Sequence, residues 1–203
     1  MENNDSKTVL LSFLAIVLLV FVVIGVSFAA FSYSKTGTKV NTITTGIITM
    51  SYTEPANAIN LVDALPISDS QGMALSGVNN VFDFTVAATI KGSGTTVINY
   101  TISAVKESST VSDSSVKVYL TNMDNDADTA ILAPTKISSL STTGASESSG
   151  VPSGQYKLAT GTFSASGSHK YRLRMWVADD FTGLASSGTY KLKVNVYGAA
   201  LAQ

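Results

Sequence analysis

The sequence predicts an all-β fold: an antiparallel β-sandwich of jelly-roll or Greek-key type, preceded by an N-terminal hydrophobic helix. Three observations predict it. Apolar and polar residues alternate with a period of two in run after run beyond residue 46. No helical crossover of the kind a parallel α/β sheet needs separates those runs. The composition is rich in Ser, Thr, Gly, Ala and Val, and only 13% of residues are charged, against about 25% in an average domain. Such residues suit the pleated, half-buried surface of a sheet. Three segments follow: a leader or anchor at 1–29, an extended arm at 30–45 and a sandwich domain at 46–203.

Val9 to Phe31 contains no charged residue, and Ser12 and Ser27 are its only hydroxyl side chains. Its length suits a transmembrane anchor, which needs about 20 apolar residues. Its end suits a cleaved signal peptide, because Ser27 and Ala29 place small side chains at −3 and −1 of a cut between Ala29 and Ala30. Either way the remaining chain is exported, with signal peptidase as a partner in the first case and the membrane in the second. The expected location is extracellular or at the cell surface.

The arm, AFSYSKTGTKVNT, alternates weakly and reads as extended chain. A strand follows in which Ile48, Met50 and Tyr52 share a face, ended by Pro55. Ala58 to Val62 reads as a short strand, and one helical turn is expected around Ser70 to Leu75. The clearest strand is Val81 to Ile90, with Phe82, Phe84, Val86, Ala88 and Ile90 on one face. A Gly-containing turn after Lys91 then leads into Ile98, Tyr100, Ile102 and Ala104, which reads as a β-hairpin. Val116, Val118 and Leu120 face inward in the next strand, with Lys117 and Tyr119 outward. Ile137 to Gly154 is a Ser/Thr/Gly-rich surface loop. Two further runs carry inward Tyr171, Leu173, Met175 and Val177, then Tyr190, Leu192, Val194 and Val196, with Lys191, Lys193 and Asn195 outward.

Charge and composition exclude several functions. Setting aside Glu2, Asp5 and Lys7 reduces the 14 acidic and 13 basic residues to 12 and 12. A neutral chain lacks the basic face that phosphate binding requires, so nucleic acid is no expected partner. With Arg172 and Arg174 on one side of a strand, the basic pair reads as solvated surface. The chain has no Cys and one His, which rules out a Cys nucleophile and a two-His zinc motif. His169 falls at a predicted hairpin tip beside Gly167 and reads as a solvated turn residue. The expectation is therefore a non-enzyme without a resident cofactor.

Calcium is the one metal reading that the residues raise. Asp124, Asp126 and Asp128 alternate, as hard oxygen ligands can, but Thr129 and Thr135 stand where an EF-hand loop needs Gly and Glu. An acidic inter-strand loop and a calcium site both remain open at this point. Asp179 and Asp180 read as a second ligand pair or a turn, and Trp176 as a sheet-face residue.

The leader ending Ser27-Phe28-Ala29, the start Ala30-Phe31-Ser32, and Asn41 followed by Thr45-Gly46-Ile47-Ile48 together resemble the TasA/camelysin-type exported matrix proteins. That resemblance implies a jelly-roll subunit that polymerises with copies of itself into extracellular fibres. In such fibres the N-terminal arm completes a neighbour's sheet. Phe31, Tyr33, Val40 and Ile43 are the candidate strand-donor side chains here. The protease activity attributed to camelysin-like members does not carry over, since the two-His zinc motif is missing. The rival reading is a membrane-anchored β-sandwich on a cell surface or virion that binds a partner. Another is a secreted hydrolase or carbohydrate-binding module.

Overall fold

The structure, a computed structural model, describes residues 33–36, 48–54, 59–62, 64–77, 81–91, 96–182 and 188–201. Eleven strands lie among them: β1 (Tyr33–Thr36), β2 (Ile48–Thr53), β3 (Asn60–Val62), β4 (Pro66–Ile67), β5 (Val81–Ile90), β6 (Val97–Ser109), β7 (Val116–Asn122), β8 (Thr129–Lys136), β9 (Tyr156–Phe163), β10 (Gly167–Ala178) and β11 (Thr189–Leu201). Among the described residues there is one α-helix, α1 (Asp69–Met73), which starts at a capping box between Ser68 and Gln71.

The strands form two sheets. One has the order β1-β11-β6-β9, with β3 also on β11; the other has the order β2-β5-β10-β7-β8, with β4 on β10. Every pairing is antiparallel except the two-residue contact of β4 with β10. The inner faces meet in one apolar core. Ile98, Tyr100, Ile102, Leu192, Val194 and Val196 come from the first sheet, and Met50, Tyr52, Phe82, Phe84, Val118, Leu120 and Leu173 from the second. The alternation read from sequence therefore chose the buried faces correctly. A hydrogen bond of 2.6 Å between the Tyr100 and Tyr171 hydroxyls ties the sheets together inside that core.

Four expectations need correction. The hairpin expected of β5 and β6 does not form: β5 pairs with β2 and β10, β6 with β11 and β9. Both strands bury one face against the same core from opposite sides, and periodicity cannot distinguish that from a hairpin. Strand β8 was missed because its sequence, TAILAPTK, does not alternate and contains Pro134. It is an edge strand whose pairing with β7 shifts register twice. The segment 137–154 is a surface loop, as expected, but a tethered one whose cover was not foreseen. Ser149 bonds to Thr101 (2.6 Å) and Ser148 to Asn99 (3.2 Å), covering the outer face of the first sheet. Gln155 continues that cover with bonds to Ser103 and Tyr197, so Asn195, expected to face outward into solvent, is buried, as is Tyr197. Tyr119 faces outward as expected yet is also buried, beneath Arg174.

Candidate functional site

Two short strands share the outer edge of β11. β1 lies antiparallel to residues 195–198, pairing Tyr33 with Gly198 and Thr36 with Asn195. β3 lies antiparallel to residues 189–191, pairing Leu61 with Tyr190. Between them the Leu192 amide donates to the Ile59 carbonyl at 3.4 Å. Antiparallel to the same strand, β1 and β3 run in one direction, end to end along one edge. Gly198 comes close to the facing sheet there: a Cβ on it would sit 2.4 Å from the Met50 sulfur, so Met50 would have to move aside for one.

The other edges differ. At β8 the register shifts and Pro134 interrupt any further pairing. At β9 the edge is partly covered, through the Thr142–Tyr156 bridge and the bond from the Lys157 amide to the Ser141 carbonyl. β2 pairs with β5 over six residues without a shift.

Of the arm candidates, Tyr33 lies in β1, on β11 of its own chain. Phe31, Val40 and Ile43 lie outside the described residues, as do the leader and the cut between Ala29 and Ala30.

Asp124, Asp126 and Asp128, read as an acidic loop or a calcium site, turn to different surroundings. Asp124 Oδ2 accepts from His169 Nδ1 at 2.6 Å and from Asn122 Nδ2 at 3.0 Å, and its Oδ1 accepts from the Lys170 amide. Burial alone would raise the Asp124 pKa, but these donors hold it below the usual carboxylate range. Asp128 turns the other way, to Arg174 and Thr121, and the Arg174 guanidinium holds its pKa low as well. Asp126 is exposed. Among the described residues no three His, Cys, Asp or Glu side chains are grouped to hold a metal ion. The Asp179–Asp180 pair sits at a turn, where Asp180 pairs with Lys136.

His169 is not a solvated tip either. It lies within β10, half-buried, stacked on Phe163 with centroids 5.0 Å apart.

The outer face of the second sheet is more elaborate than solvated arginines. Arg172 makes a bidentate pair with Asp83, both bonds 2.7 Å. Arg174 is 3% exposed and also donates to the Leu75 carbonyl, so it holds the segment after α1 onto the sheet. Under that segment lies Trp176, covered by Gly72. A groove of about 370 Å³ beside this cluster is lined by Glu54, Asp83, Asp126, Lys170 and Arg172 among others.

A further cluster escaped sequence reasoning. Asp113, between β6 and β7, accepts bonds from Lys106 (2.8 Å), Tyr156 (2.7 Å) and Tyr190 (2.9 Å). It thereby joins β6, β9 and β11. Burial and the adjacent Asp113 carboxylate push the Tyr156 hydroxyl up to about 12. Residues so far apart in the chain carry no local signal that they meet.

Compared with family models, curated proteins and solved structures, the chain matches none.

Proposed function

We propose that the chain is a structural subunit of an extracellular or cell-surface filament, built by exchange of the arm strand between copies. The observation that carries this reading is the place of β1 in the strand order. With β2, β3 and β4 set aside, the other eight strands run first-eighth-third-sixth in one sheet and second-seventh-fourth-fifth in the other. That interleaving supports a jelly roll, and the arm supplies its first strand.

An arm strand can occupy the same slot in its own chain or in a neighbour. The contacts are the same, so exchange changes mainly entropy, and a head-to-tail exchange that does not close produces a filament. The strength of β1 fits an exchangeable element. Four ordered residues cost about 1–2 kcal/mol each in backbone entropy. Their hydrogen bonds return only about 0.5–1.5 kcal/mol each. Side-chain burial must supply the surplus, and an empty slot would leave the edge of β11 unpaired. The TasA/camelysin-type motifs around the leader point to the same mode of assembly.

Electron microscopy of the purified mature chain, beginning at Ala30, is expected to show filaments. A chain beginning at Thr44 is expected to remain unassembled and to bind added arm peptide. Filaments of the same form from the shortened chain would rule out strand exchange.

A further inference from the structure

We propose that the groove on the outer face of the second sheet is a binding site for an amino sugar, a ligand with one ammonium group among hydroxyls. The proposal is independent of strand exchange, since no residue lining the groove belongs to β1 or β11.

Strand register builds the site. Thr53 pairs with Thr85 and Thr85 with Lys170, so one row of outward residues crosses β2, β5 and β10. Asp83 and Arg172 pair two residues further along. The Met123 amide bonds to the Lys170 carbonyl at 2.8 Å and brings the turn before β8 alongside. With the strand order β2-β5-β10-β7, Glu54 and Asp126 therefore line opposite sides of the groove. β2 and β10 stand two strand spacings apart, about 9–10 Å. That span suits one sugar ring, as does the volume of about 370 Å³, near the lower end for ligand pockets.

Asp126 is set in place by its neighbours. Asn125 and Asp126 have φ of 56° and 59°, a conformation that non-glycine residues keep only where their surroundings fix it. Asp124, bonded to His169 and the Lys170 amide, fixes one side of the turn, and Asp128, bonded to Arg174, fixes the other. Both flanking carboxylates are consumed in holding the turn. The one between them is left for a ligand.

The ligand class follows from which groups are already satisfied. Asp83 and Arg172 neutralise each other in their bidentate pair, yet keep spare lone pairs and N–H groups. Beside them the Thr53 and Thr85 hydroxyls donate and accept alike. Such a floor suits ligand hydroxyls, which also do both. Among the described residues no cation pairs with Glu54 or Asp126, and no carboxylate pairs with the Lys170 ammonium. Two negative charges thus face one positive charge, and a ligand with a single positive charge meets the excess. A simple amine brings the charge without the hydroxyls, and a neutral sugar the hydroxyls without the charge.

Titration calorimetry of the full chain at about pH 6, where carboxylates are ionised and amines charged, provides the test. Glucosamine is expected to bind at least about tenfold more tightly than glucose, N-acetylglucosamine or methylammonium, each of which lacks one of the two features. Glu54→Gln and Asp126→Asn are each expected to weaken glucosamine about tenfold, as loss of a charge-assisted bond does. Asp179→Asn, which alters an exposed carboxylate in the turn after β10, is expected to change nothing. Trp176 fluorescence checks that each variant is folded, and the ligand comparison on the unaltered chain decides without them. Absence of glucosamine binding overturns the proposal. So does methylammonium or N-acetylglucosamine that binds as well, or unchanged binding in a folded Glu54→Gln/Asp126→Asn double variant. A tetramer of linked glucosamine separates two sources of the same chemistry. Binding at least as tight as that of the monomer supports a polysaccharide residue as the ligand, and binding lost in the tetramer overturns that source in favour of the free sugar.

Discussion

Arg174 and Asp128 form a bidentate ion pair, with Nη2 to Oδ2 at 2.7 Å and Nη1 to Oδ1 at 3.1 Å. The arginine is buried at the centre of β10, while the aspartate, at φ 45° in the turn before β8, keeps 41% of its side chain exposed. The two partners therefore stand in unequal positions. Losing the aspartate strands a charge inside the protein; losing the arginine leaves a carboxylate that water can reach.

Removing one partner of a buried pair costs about 3–5 kcal/mol, mostly through the uncompensated charge left behind. Asp128→Ala is expected to approach that range, and Arg174→Met to cost distinctly less because the methionine still covers Tyr119. Urea midpoints with unchanged m-values would measure both. Equal losses would show that the arginine is better solvated than its burial implies.

Gly72 is the only residue type that α1 can place over Trp176. A Cβ there would lie 2.3 Å from two atoms of the indole ring. The ring is rigid and buried in the sheet face, so the helix must lift. Gly72→Ala is expected to cost about 1–3 kcal/mol, as overpacking does. The emission of Trp176, the sole tryptophan, is expected to shift to the red as water reaches it. A stability within about 0.5 kcal/mol of the parent and unchanged emission would show that α1 does not clamp the ring.

How much of this was legible beforehand follows from the kind of signal each feature leaves. Phe82, Phe84, Ile98, Tyr100, Leu173 and Met175 all lie in the core, because a period of two is local and marks a buried face directly. Which sheet a strand joins is not local, and the supposed hairpin of β5 and β6 failed for that reason. The outer faces were the hardest to read. Alternation placed Arg172, Arg174 and Trp176 on one side correctly, but only the chain of α1, from far away in sequence, turns that side into a covered one. The aspartates of the 122–128 turn looked like a ligand set because their partners, His169 and Arg174, belong to another strand.

Acid is expected to destabilise the fold through three carboxylates. In Asp128 the Arg174 bond depresses the pKa; in Asp113 and Asp124 burial raises it, but the donors around them prevail and the result is also low. A group with a depressed folded pKa contributes stability that is present above the ordinary carboxylate value near 3.9 and lost as pH falls through the folded one. Thermal midpoints are therefore expected to hold to about pH 5 and then fall below about pH 4. Tyr156 has the opposite sign: with its pKa raised to about 12, its contribution is intact below the ordinary tyrosine value and lost as pH climbs toward 12. Asp113→Asn should flatten both limbs. Midpoints that rise between pH 5 and pH 3 would contradict the assignment.

Gly198 supplies a contrast to Gly72, since what blocks a side chain there can give way. A Cβ on Gly198 would meet Met50 at its sulfur (2.4 Å) and terminal methyl (2.6 Å), the far end of a flexible chain. Gly198→Ala is therefore expected to be nearly neutral, with Met50 rotating aside. Gly198→Val adds two methyl groups at the same spot and is expected to cost about 1–3 kcal/mol. Met50 itself is buried, and Met50→Ala alone should cost about 2–5 kcal/mol through the cavity it leaves. In the double variant the valine fills part of that cavity, so the losses should fall short of their sum by at least about 0.5 kcal/mol, the scale of coupling between residues in contact. Tyr33 stands opposite Gly198 in β1, so the same substitutions report on the arm. Gly198→Val is expected to weaken binding of an arm peptide to a chain beginning at Thr44, and Met50→Ala in that background to restore part of it. Additive stability losses would mean that Met50 and Gly198 are not in contact, and that the space behind the arm's slot is shaped by some other side chain.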